Sequence, residues 1–369
     1  MKKLHGMSES ISVQTSTQNK YELHFGYDLS AELESYIRQF GSSKAFLMVD
    51  AFVLEHHRTH FERALKKHFS ELHVFEVPRG EQAKNIEVYK QALDFVLNEG
   101  VERGTPLFAI GGGVTGDLSG FVAATVLRGI PLVHVPSTLL AMVDSSIGGK
   151  TGINHTTGKN LIGSFYQPKA VFMDVKYLET LAYKEWVNGL SEVLKYGMIH
   201  SPEILDEVKT LLDEDNFTNG KSWLPLIQKS AQIKVDVVSE DVLEAGRRAF
   251  LNFGHTFAHV IEREGAYKQY SHGEAVYAGM IAAVHASNSL GASIELSNLL
   301  QFKALYKLSL DKISSSPAEL VEWMKTDKKV KDEQIRLVLL KEMASPYVYN
   351  VSETEFVKLA WHHTLNIFQ

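Results

Sequence analysis

The chain has no cysteine among its 369 residues. It therefore forms no disulfide bond, offers no thiolate to a metal ion and has no cysteine nucleophile. A metal ion would have to be bound by histidine or by oxygen donors. The absence restricts the candidate sites to those built from acidic, basic, imidazole and hydroxyl side chains.

Long apolar segments are missing as well. The most apolar stretch, residues 281–284 with its flanks, is interrupted by polar residues and is shorter than the roughly 20 residues that a membrane span needs. The N-terminal segment has lysines but no apolar core, so it does not resemble a secretory signal. We therefore expect a soluble, cytoplasmic protein without a membrane partner.

The chain also lacks an excess of positive charge. The chain has 38 Lys and Arg against 44 Asp and Glu, a net charge of −6. This balance argues against a nucleic-acid partner, because binding to a phosphate backbone needs a basic surface. An anionic substrate would have to be held by a local cluster of cations.

Strands and helices alternate in the first 180 residues. Two strand-like runs, 11–15 and 21–25, predict a hairpin at one edge of a sheet. Later apolar runs, rich in β-branched or aromatic residues, lie at 45–49, 72–77, 107–110, 132–135 and 170–175. Amphipathic stretches such as 61–68 and 86–98 separate the first three of them. The pattern predicts a Rossmann-like α/β domain over residues 1–180, with a doubly wound parallel sheet.

The pattern changes after residue 181. Strand signals nearly vanish, and we expect residues 181–369 to form an all-α domain, with 335–340 as one late candidate strand. The predicted helices lie at 183–200, 222–239, 246–264, 273–291, 296–307 and 317–325. A chain of this length suits two packed domains.

A glycine-rich turn follows the third of the later apolar runs. Gly111, Gly113 and Gly116 fit the pattern G-x-G-x-x-G between a predicted strand and a predicted helix. Glycines let the backbone approach a diphosphate, and the helix N-terminus supplies unpaired N–H groups. However, the next strand ends in Ser137 and Thr138 rather than in an acidic residue. Taken alone, the motif leaves nucleotide binding and a plain tight turn equally open.

A second polar segment spans residues 144–160. It includes Asp144, Lys150, Lys159 and Asn160 together with four glycines, and has little apolar patterning. The lysine and asparagine side chains are suitable donors to phosphate oxygens. A plain solvated loop is the alternative, but long polar loops in compact domains are more often functional. We therefore favour an anion-binding loop.

Polar residues recur at helical spacing near residue 250. Arg248, Asn252, His255 and His259 follow one another at steps of 4, 3 and 4. On a single helix this spacing places all four on one stripe. Because such groups are costly to bury unless each has a partner, we predict that the stripe faces a functional site.

Two further segments supply candidate metal ligands. His272 opens the next predicted helix, and Glu192 and Lys195 lie one turn apart on an earlier one. One Glu and two His form a known catalytic zinc set that leaves a coordination position for substrate. An ordinary Glu192–Lys195 pair is the alternative. Peptide hydrolysis is disfavoured, because Thr256 follows the first His of the H-x-x-x-H pair where zinc peptidases have Glu.

Taken together, these segments resemble 3-dehydroquinate synthases over about residues 20–345. The matching strings are Gly-Glu-Gln-Ala-Lys at 80–84, the turn at 111–117, Arg-Gly at 128–129, Pro-Ser-Thr at 136–138, residues 144–160, Glu-Val-Leu-Lys-Tyr-Gly at 192–197, residues 248–259, His-Gly-Glu at 272–274 and Asp-Lys-Lys at 327–329. So many unusual strings in one order are far more specific than any one of them. The resemblance implies conversion of 3-deoxy-D-arabino-heptulosonate 7-phosphate to 3-dehydroquinate and phosphate in the shikimate pathway.

The resemblance also implies cofactors and roles. NAD would be oxidant and then reductant within one turnover, a divalent ion (zinc or cobalt) would be bound, and the chain would form a homodimer. The metal ligands would be Glu192, His255 and His272. NAD would be surrounded by Asp50, Glu81, Lys84, Gly112, Gly113, Asp117, Ser137, Thr138, Lys150, Lys159 and Thr180. Phosphate would be bound by Lys150, Asn160, Asn252, one lysine of Lys328 and Lys329, and Arg128 from a second subunit. The substrate carboxylate would be held by Lys234 and Arg248. His259 would assist proton transfer, and Asp144 and Lys195 would organise water and the reacting hydroxyls.

Other functions remain open at this stage. Related cyclases act on sedoheptulose 7-phosphate or glucose 6-phosphate, which have no carboxylate. Lys234 and Arg248 favour the acidic substrate, because two buried cations without an anion would be strongly unfavourable. A metal-dependent polyol dehydrogenase is a second alternative and would release NADH, and a non-catalytic binding protein is the third.

Overall fold

A computed structural model describes residues 9–14, 20–214, 216–242, 246–325 and 334–369. The chain divides into two compact units. The first comprises residues 1–186 and 216–243, and the second comprises 187–215 and 244–369. Each unit is built from two segments of the chain, so these units are not the same divisions as the domains expected from the sequence. The expected domain bounds, 1–180 and 181–369, stay a prediction.

The first unit is organised around a seven-stranded sheet. In chain order the strands of this unit are β1 (Glu9–Gln14), β2 (Lys20–Gly26), β3 (Lys44–Asp50), β4 (Glu71–Val77), β5 (Leu107–Gly111), β6 (Leu132–Pro136), β7 (Lys150–His155), β8 (Gly158–Phe165) and β9 (Ala170–Asp174). The sheet order is β1-β2-β9-β6-β5-β3-β4, with only the β1–β2 pair antiparallel. The predicted edge hairpin and parallel sheet are confirmed.

Helices cover both faces of this sheet. They are α1 (Ser30–Ile37), α2 (Ala51–Leu65), α3 (Ile86–Asn98) and α4 (Gly113–Thr125). Alternate residues of β3 point to opposite faces, as strand geometry requires. Ala45, Leu47 and Val49 belong to one apolar core, while Phe46 and Met48 belong to the other. Burial on both faces explains why the strands read as continuous apolar runs.

The segment predicted as an anion-binding loop contains a two-stranded antiparallel ribbon, β7–β8. The loop prediction, which covered residues 144–160, was therefore wrong for residues 150–155 and 158–160. The two strands meet at Gly152 and Gly163, where a Cβ on Gly152 would lie 2.5 Å from the carbonyl oxygen of Ile162. Glycines needed for this close approach removed the apolar alternation that would have indicated strands.

The second unit is mainly helical. After α5 (Tyr183–Ile199) and α6 (Glu203–Asp213), the helix α7 (Gly220–Glu240) packs with the first unit, on β1 and β2. The remaining helices are α8 (His255–Glu264), α9 (His272–Ser289), α10 (Ser297–Leu300), α11 (Lys303–Tyr306), α12 (Pro317–Lys325) and α13 (Glu355–Phe368). The helical prediction for this half is confirmed. It also contains an antiparallel pair, β10 (Arg336–Leu340) and β11 (Pro346–Asn350), the first of which matches the late candidate strand.

The predicted helix over 246–264 is interrupted. A 3-10 segment (Arg247–Asn252) precedes α8, and Gly254 between them has φ +80. A Cβ at Gly254 would lie 2.7 Å from the backbone nitrogen of Met280, so α8 and α9 can approach only because this residue is glycine. The expected single stripe from Arg248 to His259 was therefore wrong, although His255 and His259 do share α8. No described helix is long and apolar enough to span a membrane.

Candidate metal centre and nucleotide site

Three side chains of the second unit converge on one point. Nε2 of His255 and Nε2 of His272 each lie 3.5 Å from Oε1 of Glu192. One ligand atom from each of the three lies within 4.8 Å of the others. Glu192 is 1% exposed, and its Oε1 accepts no hydrogen bond from the described part of the chain. We call these three residues the metal cluster.

Each imidazole of the metal cluster is oriented through its other nitrogen. Nδ1 of His255 lies 3.3 Å from the carbonyl oxygen of Phe253. Nδ1 of His272 lies 3.5 Å from Oε1 of Glu262. If both Nδ1 atoms hold the proton, both Nε2 atoms keep a lone pair directed toward Glu192. This arrangement is the usual support for histidines that bind metal ions.

Charge in the metal cluster is balanced by neighbouring groups. Burial alone would raise the pKa of Glu192, but the ammonium group of Lys195 and the ring of His272 lower it to about 2. Burial alone would lower the pKa of His272, but the nearby carboxylates of Glu192 and Glu262 raise it to about 10. The carboxylate is therefore ionised and ready to accept a cation. When no metal ion is bound, the protonated ring of His272 supplies the positive charge next to this carboxylate.

Close packing fixes α5 against the start of α9. Ser191 donates to the carbonyl oxygen of Gly273 at 2.6 Å, and the Gly273 N–H donates to Oδ1 of Asn188 at 2.6 Å. A Cβ on Gly273 would lie 2.4 Å from the carbonyl oxygen of Asn188, so a larger residue cannot replace it without a shift. Ser271 and Glu274 form a capping box around the first turn of α9. These contacts place Glu192 beside His272.

The donor set fits a divalent ion such as zinc. One carboxylate and two neutral imidazoles are a known catalytic set, and a buried oxygen without a hydrogen bond is costly unless a cation is its partner. A second group of possible ligands, in the first unit, consists of Asp28, His60 and Asp174. There Asp174 already accepts from three backbone N–H groups and from His60. That second group is therefore structural.

The glycine turn (residues 111–113) lies at a reversal of strand order. β3 has β4 on one side and β5 on the other, so the order in which the chain adds parallel strands to the sheet reverses between β3 and β5. Ligands of open α/β sheets bind outside the carboxyl ends of strands at such a point. Asp50 at the end of β3 caps α2 by accepting from Phe52 and Val53. A Cβ on Gly111 would lie 3.0 Å from Cβ of Asp50, so the two strand ends are adjacent.

Four of the other sequence-predicted NAD residues lie at or beside the turn, namely Gly112, Gly113, Ser137 and Thr138. Ser137 donates its backbone N–H to the carbonyl oxygen of Gly111 at 2.9 Å, and a Cβ on Gly112 would lie 3.1 Å from the side chain of Thr138. The N-terminus of α4 begins at Gly113. Backbone N–H groups at a helix N-terminus attract anions. The structure thus brings these predicted residues together.

A buried ion pair lies on the same side of the sheet. Nζ of Lys84 is 2.6 Å from Oδ2 of Asp117, and Lys84 is 4% exposed. Burial alone would lower the pKa of Lys84, but the carboxylate of Asp117 raises it. Glu81 accepts a hydrogen bond from Asn154 at 2.7 Å, which joins this region to β7. Thr180 lies elsewhere in the unit, where its hydroxyl is 2.7 Å from Nε2 of His57.

Predicted anion-binding residues are distributed over both units. In the first, Lys234 donates to Oδ1 of Asp144 at 2.6 Å, a contact that the sequence did not suggest. Lys150 and Asn160 are exposed and Lys159 half-buried on the β7–β8 ribbon, and Asn160 has φ +53. Arg128 lies in a turn before β6 with φ +65.

In the second unit, Arg248 is 1% exposed and Asn252 half-buried on the 3-10 segment before α8. The ring of His259 lies 6.1 Å from that of His255 between centroids. Lys328 and Lys329 lie outside the described residues. Sequence reasoning missed Glu262, although its carboxylate faces His272.

The fold is shared with synthases and dehydrogenases of known structure. A 2-epi-5-epi-valiolone synthase from Streptomyces hygroscopicus with NAD+ and Zn2+ bound superposes with a TM-score of 0.85 at 22% identity, covering 96% of this chain and 99% of that one. A 2-deoxy-scyllo-inosose synthase complexed with carbaglucose-6-phosphate, NAD+ and Co2+ gives 0.82 at 24% identity, covering 95% and 99%. An iron-containing alcohol dehydrogenase gives 0.65 at 13% identity, covering 98% and 100%. At these identities the likeness shows a shared fold.

Sequence comparison identifies the family. The 3-dehydroquinate synthase N-terminal model matches residues 74–188 and the C-terminal model matches 189–330. The 3-dehydroquinate synthase of Geotalea uraniireducens is 44% identical over 288 residues, 76% of this chain and 79% of that protein. That of Salinibacter ruber is 38% identical over 353 residues, 93% and 94%. The chain belongs to the 3-dehydroquinate synthase family.

Proposed function

We propose that the chain converts 3-deoxy-D-arabino-heptulosonate 7-phosphate to 3-dehydroquinate and inorganic phosphate, a phosphate-eliminating lyase reaction of the shikimate pathway. The observation that supports this most directly is the convergence of Glu192, His255 and His272 in a member of the 3-dehydroquinate synthase family. The substrate is a small acidic sugar phosphate. The cofactors are NAD and a divalent ion, zinc or cobalt.

The metal cluster provides three protein ligands and leaves a coordination position for substrate hydroxyls. When bound, the ion would supply positive charge that lowers the pKa of a substrate hydroxyl, and NAD would supply a hydride acceptor. Lys195 keeps Glu192 ionised and is well placed to orient a reacting hydroxyl. His259, one turn after His255, has the proton-transfer role. Most of the acceleration then comes from positioning and charge stabilisation.

NAD is assigned to the switch point of the first unit. The glycine turn, the N-terminus of α4 and Asp50 would hold the diphosphate and ribose, together with Glu81, Lys84, Asp117, Ser137, Thr138, Lys150, Lys159 and Thr180. The adjacency of β3, β5 and β6 at their carboxyl ends supports this assignment. Within it, Lys84 and Asp117 form the polar link that stiffens the start of α4.

Substrate recognition is assigned to the cations. Lys234 and Arg248 would bind the carboxylate, and Lys150, Asn160, Asn252, Arg128 and one of Lys328 and Lys329 would bind the phosphate. Lys234 and Arg248 are 5% and 1% exposed. The carboxylate of an acidic substrate could accept charge-assisted hydrogen bonds from these two cations, which a neutral substrate could not do, so they support an acidic substrate. Asp144, already paired with Lys234, would organise the reacting hydroxyls.

We assign the chain to a homodimer formed through the β7–β8 ribbon. Leu161 and Phe165 are each 45% exposed on β8, and Leu127 beside Arg128 is 37% exposed. Tyr166 donates to the carbonyl oxygen of Ile130 at 2.7 Å, so the end of β8 lies against this turn. A second copy of the chain that covers this apolar edge would be contacted by Arg128. Phe165→Glu should yield monomers in light scattering; an unchanged dimer would contradict this interface.

The activity is tested by release of inorganic phosphate. Protein supplied with the acidic sugar phosphate, a divalent ion and catalytic NAD should release phosphate without accumulation of NADH. Stoichiometric NADH would instead indicate a polyol dehydrogenase. Sedoheptulose 7-phosphate and glucose 6-phosphate, assayed in parallel, should give no phosphate. Arg248→Ala should abolish the reaction with the acidic substrate, and an unaltered rate would contradict the carboxylate assignment.

A further inference from the structure

A buried carboxylate lies behind the metal cluster. Glu262 is 3% exposed on α8, and its Oε1 lies 3.5 Å from Nδ1 of His272. The opposite nitrogen of the same ring, Nε2, lies 3.5 Å from Glu192. The His272 ring therefore has one carboxylate at each of its two nitrogens.

The position of Glu262 follows from helix geometry. It comes seven residues after His255 on α8, which is two turns, so the two side chains share a face. α8 thus supplies one ligand of the metal cluster and, two turns later, a carboxylate that contacts a ligand from α9. Burial of a carboxylate is costly, and this placement needs a compensating partner. The ring of His272 provides one.

The two ring nitrogens of His272 have different requirements. Its Nε2 must hold a lone pair to bind a cation, so the proton of the neutral ring must be on Nδ1. A carboxylate beside Nδ1 stabilises that tautomer, fixes the rotation of the ring and increases the basicity of Nε2. His255 has the backbone carbonyl of Phe253 in the same position.

We propose that Glu262 is a positioning residue that holds the His272 ring in the tautomer and orientation that bind the metal ion. The proposal rests on the proposed function, because it assumes that the metal cluster binds a divalent ion. It concerns affinity and ligand geometry rather than any contact of Glu262 with substrate.

The test measures metal binding by the metal-free full chain. Glu262→Gln and Glu262→Ala are titrated with Co2+, followed by visible absorption, and with Zn2+ against a chelating dye. We expect affinity to fall about 10- to 100-fold in Glu262→Ala, with altered cobalt bands, and less in Glu262→Gln, whose amide oxygen still accepts from Nδ1. Glu264→Gln, on the same helix with its carboxylate at Ser315, is the matched control and should bind as the unaltered chain does.

Two outcomes overturn the proposal. Either Glu262→Ala and Glu262→Gln bind Co2+ with unchanged affinity and spectrum, or Glu264→Gln weakens binding as much as they do. If Glu262→Ala does not fold by circular dichroism, Glu262→Gln alone decides, and an affinity and spectrum equal to those of the unaltered chain contradict the proposal. If the unaltered chain binds neither ion, the proposed function itself fails. That failure is recognised before any variant is compared.

Discussion

The metal cluster and the glycine turn differ in the groups that they offer to a ligand. In the metal cluster, three side chains from α5, α8 and α9 supply the donor atoms, and their convergence depends on tight helix packing at Gly254 and Gly273. The glycine turn offers backbone N–H groups at the start of α4. A single substitution should therefore abolish one site and only weaken the other.

The largest expected effect comes from a ligand of the metal cluster. Glu192→Gln removes the carboxylate charge that two imidazoles and Lys195 face. Metal content after dialysis should fall to background. Activity should fall by more than the roughly 100-fold that loss of a supporting residue costs. Glu185→Gln on the same helix is the control. Full metal retention in Glu192→Gln would remove Glu192 from the ligand set.

The ion pair near the glycine turn should matter mainly for stability. Lys84→Met leaves Asp117 without its partner at 2.6 Å. Loss of one member of a buried pair costs about 3 kcal/mol, which denaturant unfolding of the metal-free chain would measure. Lys90→Met breaks an exposed pair with Asp94 and should cost below about 0.5 kcal/mol. Equal losses of unfolding free energy in the two variants would show that the Lys84–Asp117 pair stabilises the chain no more than an exposed pair does.

The metal cluster should also respond to pH more than the glycine turn does. Burial opposes the charge, but Glu192 and Glu262 raise the pKa of His272 to about 10, so a metal ion must displace a proton from this ring at neutral pH. Each unit of pH decrease below that value should reduce metal affinity about tenfold, or about 100-fold from pH 8 to pH 6. NAD affinity, measured by calorimetry over the same range, should change far less. A metal affinity that does not change with pH would show that the ring of His272 is already neutral in the metal-free chain over this range.

The smallest effect is expected from the glycine turn itself. In Gly111→Ala the new Cβ would lie 2.7 Å from Thr115 and 3.0 Å from Cβ of Asp50. Relief of such overlap costs about 1–3 kcal/mol, so NAD should bind about tenfold more weakly while metal affinity is unchanged. Gly104→Ala, where a Cβ would meet nothing within 4 Å, is the control. Metal loss in Gly111→Ala would mean that the two sites are not independent.

The sequence predicted most of the first unit because its signals are local. Each strand of the parallel sheet is an apolar run of the right length, and the glycine turn follows a strand and begins a helix. The β7–β8 ribbon could not be predicted, because the glycines that allow its strands to approach erase the alternation that indicates strands. The switch point depended on strand order, which no local pattern contains.

The structure brings the three predicted metal ligands together, although one part of the reasoning that selected them was wrong. The periodicity from Arg248 to His259 indicated one helix, whereas Gly254 at φ +80 divides it. Glu262 was missed, although its spacing of seven residues from His255 places both on one face. Neither the left-handed glycine nor the contact with His272 follows from helical periodicity, since both are set by packing against α9.

The most direct test is the position of the ion itself. Anomalous diffraction at the zinc edge, from crystals grown with Zn2+, should show one peak within about 2.0–2.2 Å of Oε1 of Glu192 and of Nε2 of His255 and His272. A peak beside other residues, or the absence of a peak beside these three side chains, would contradict the central claim that Glu192, His255 and His272 form a single metal site.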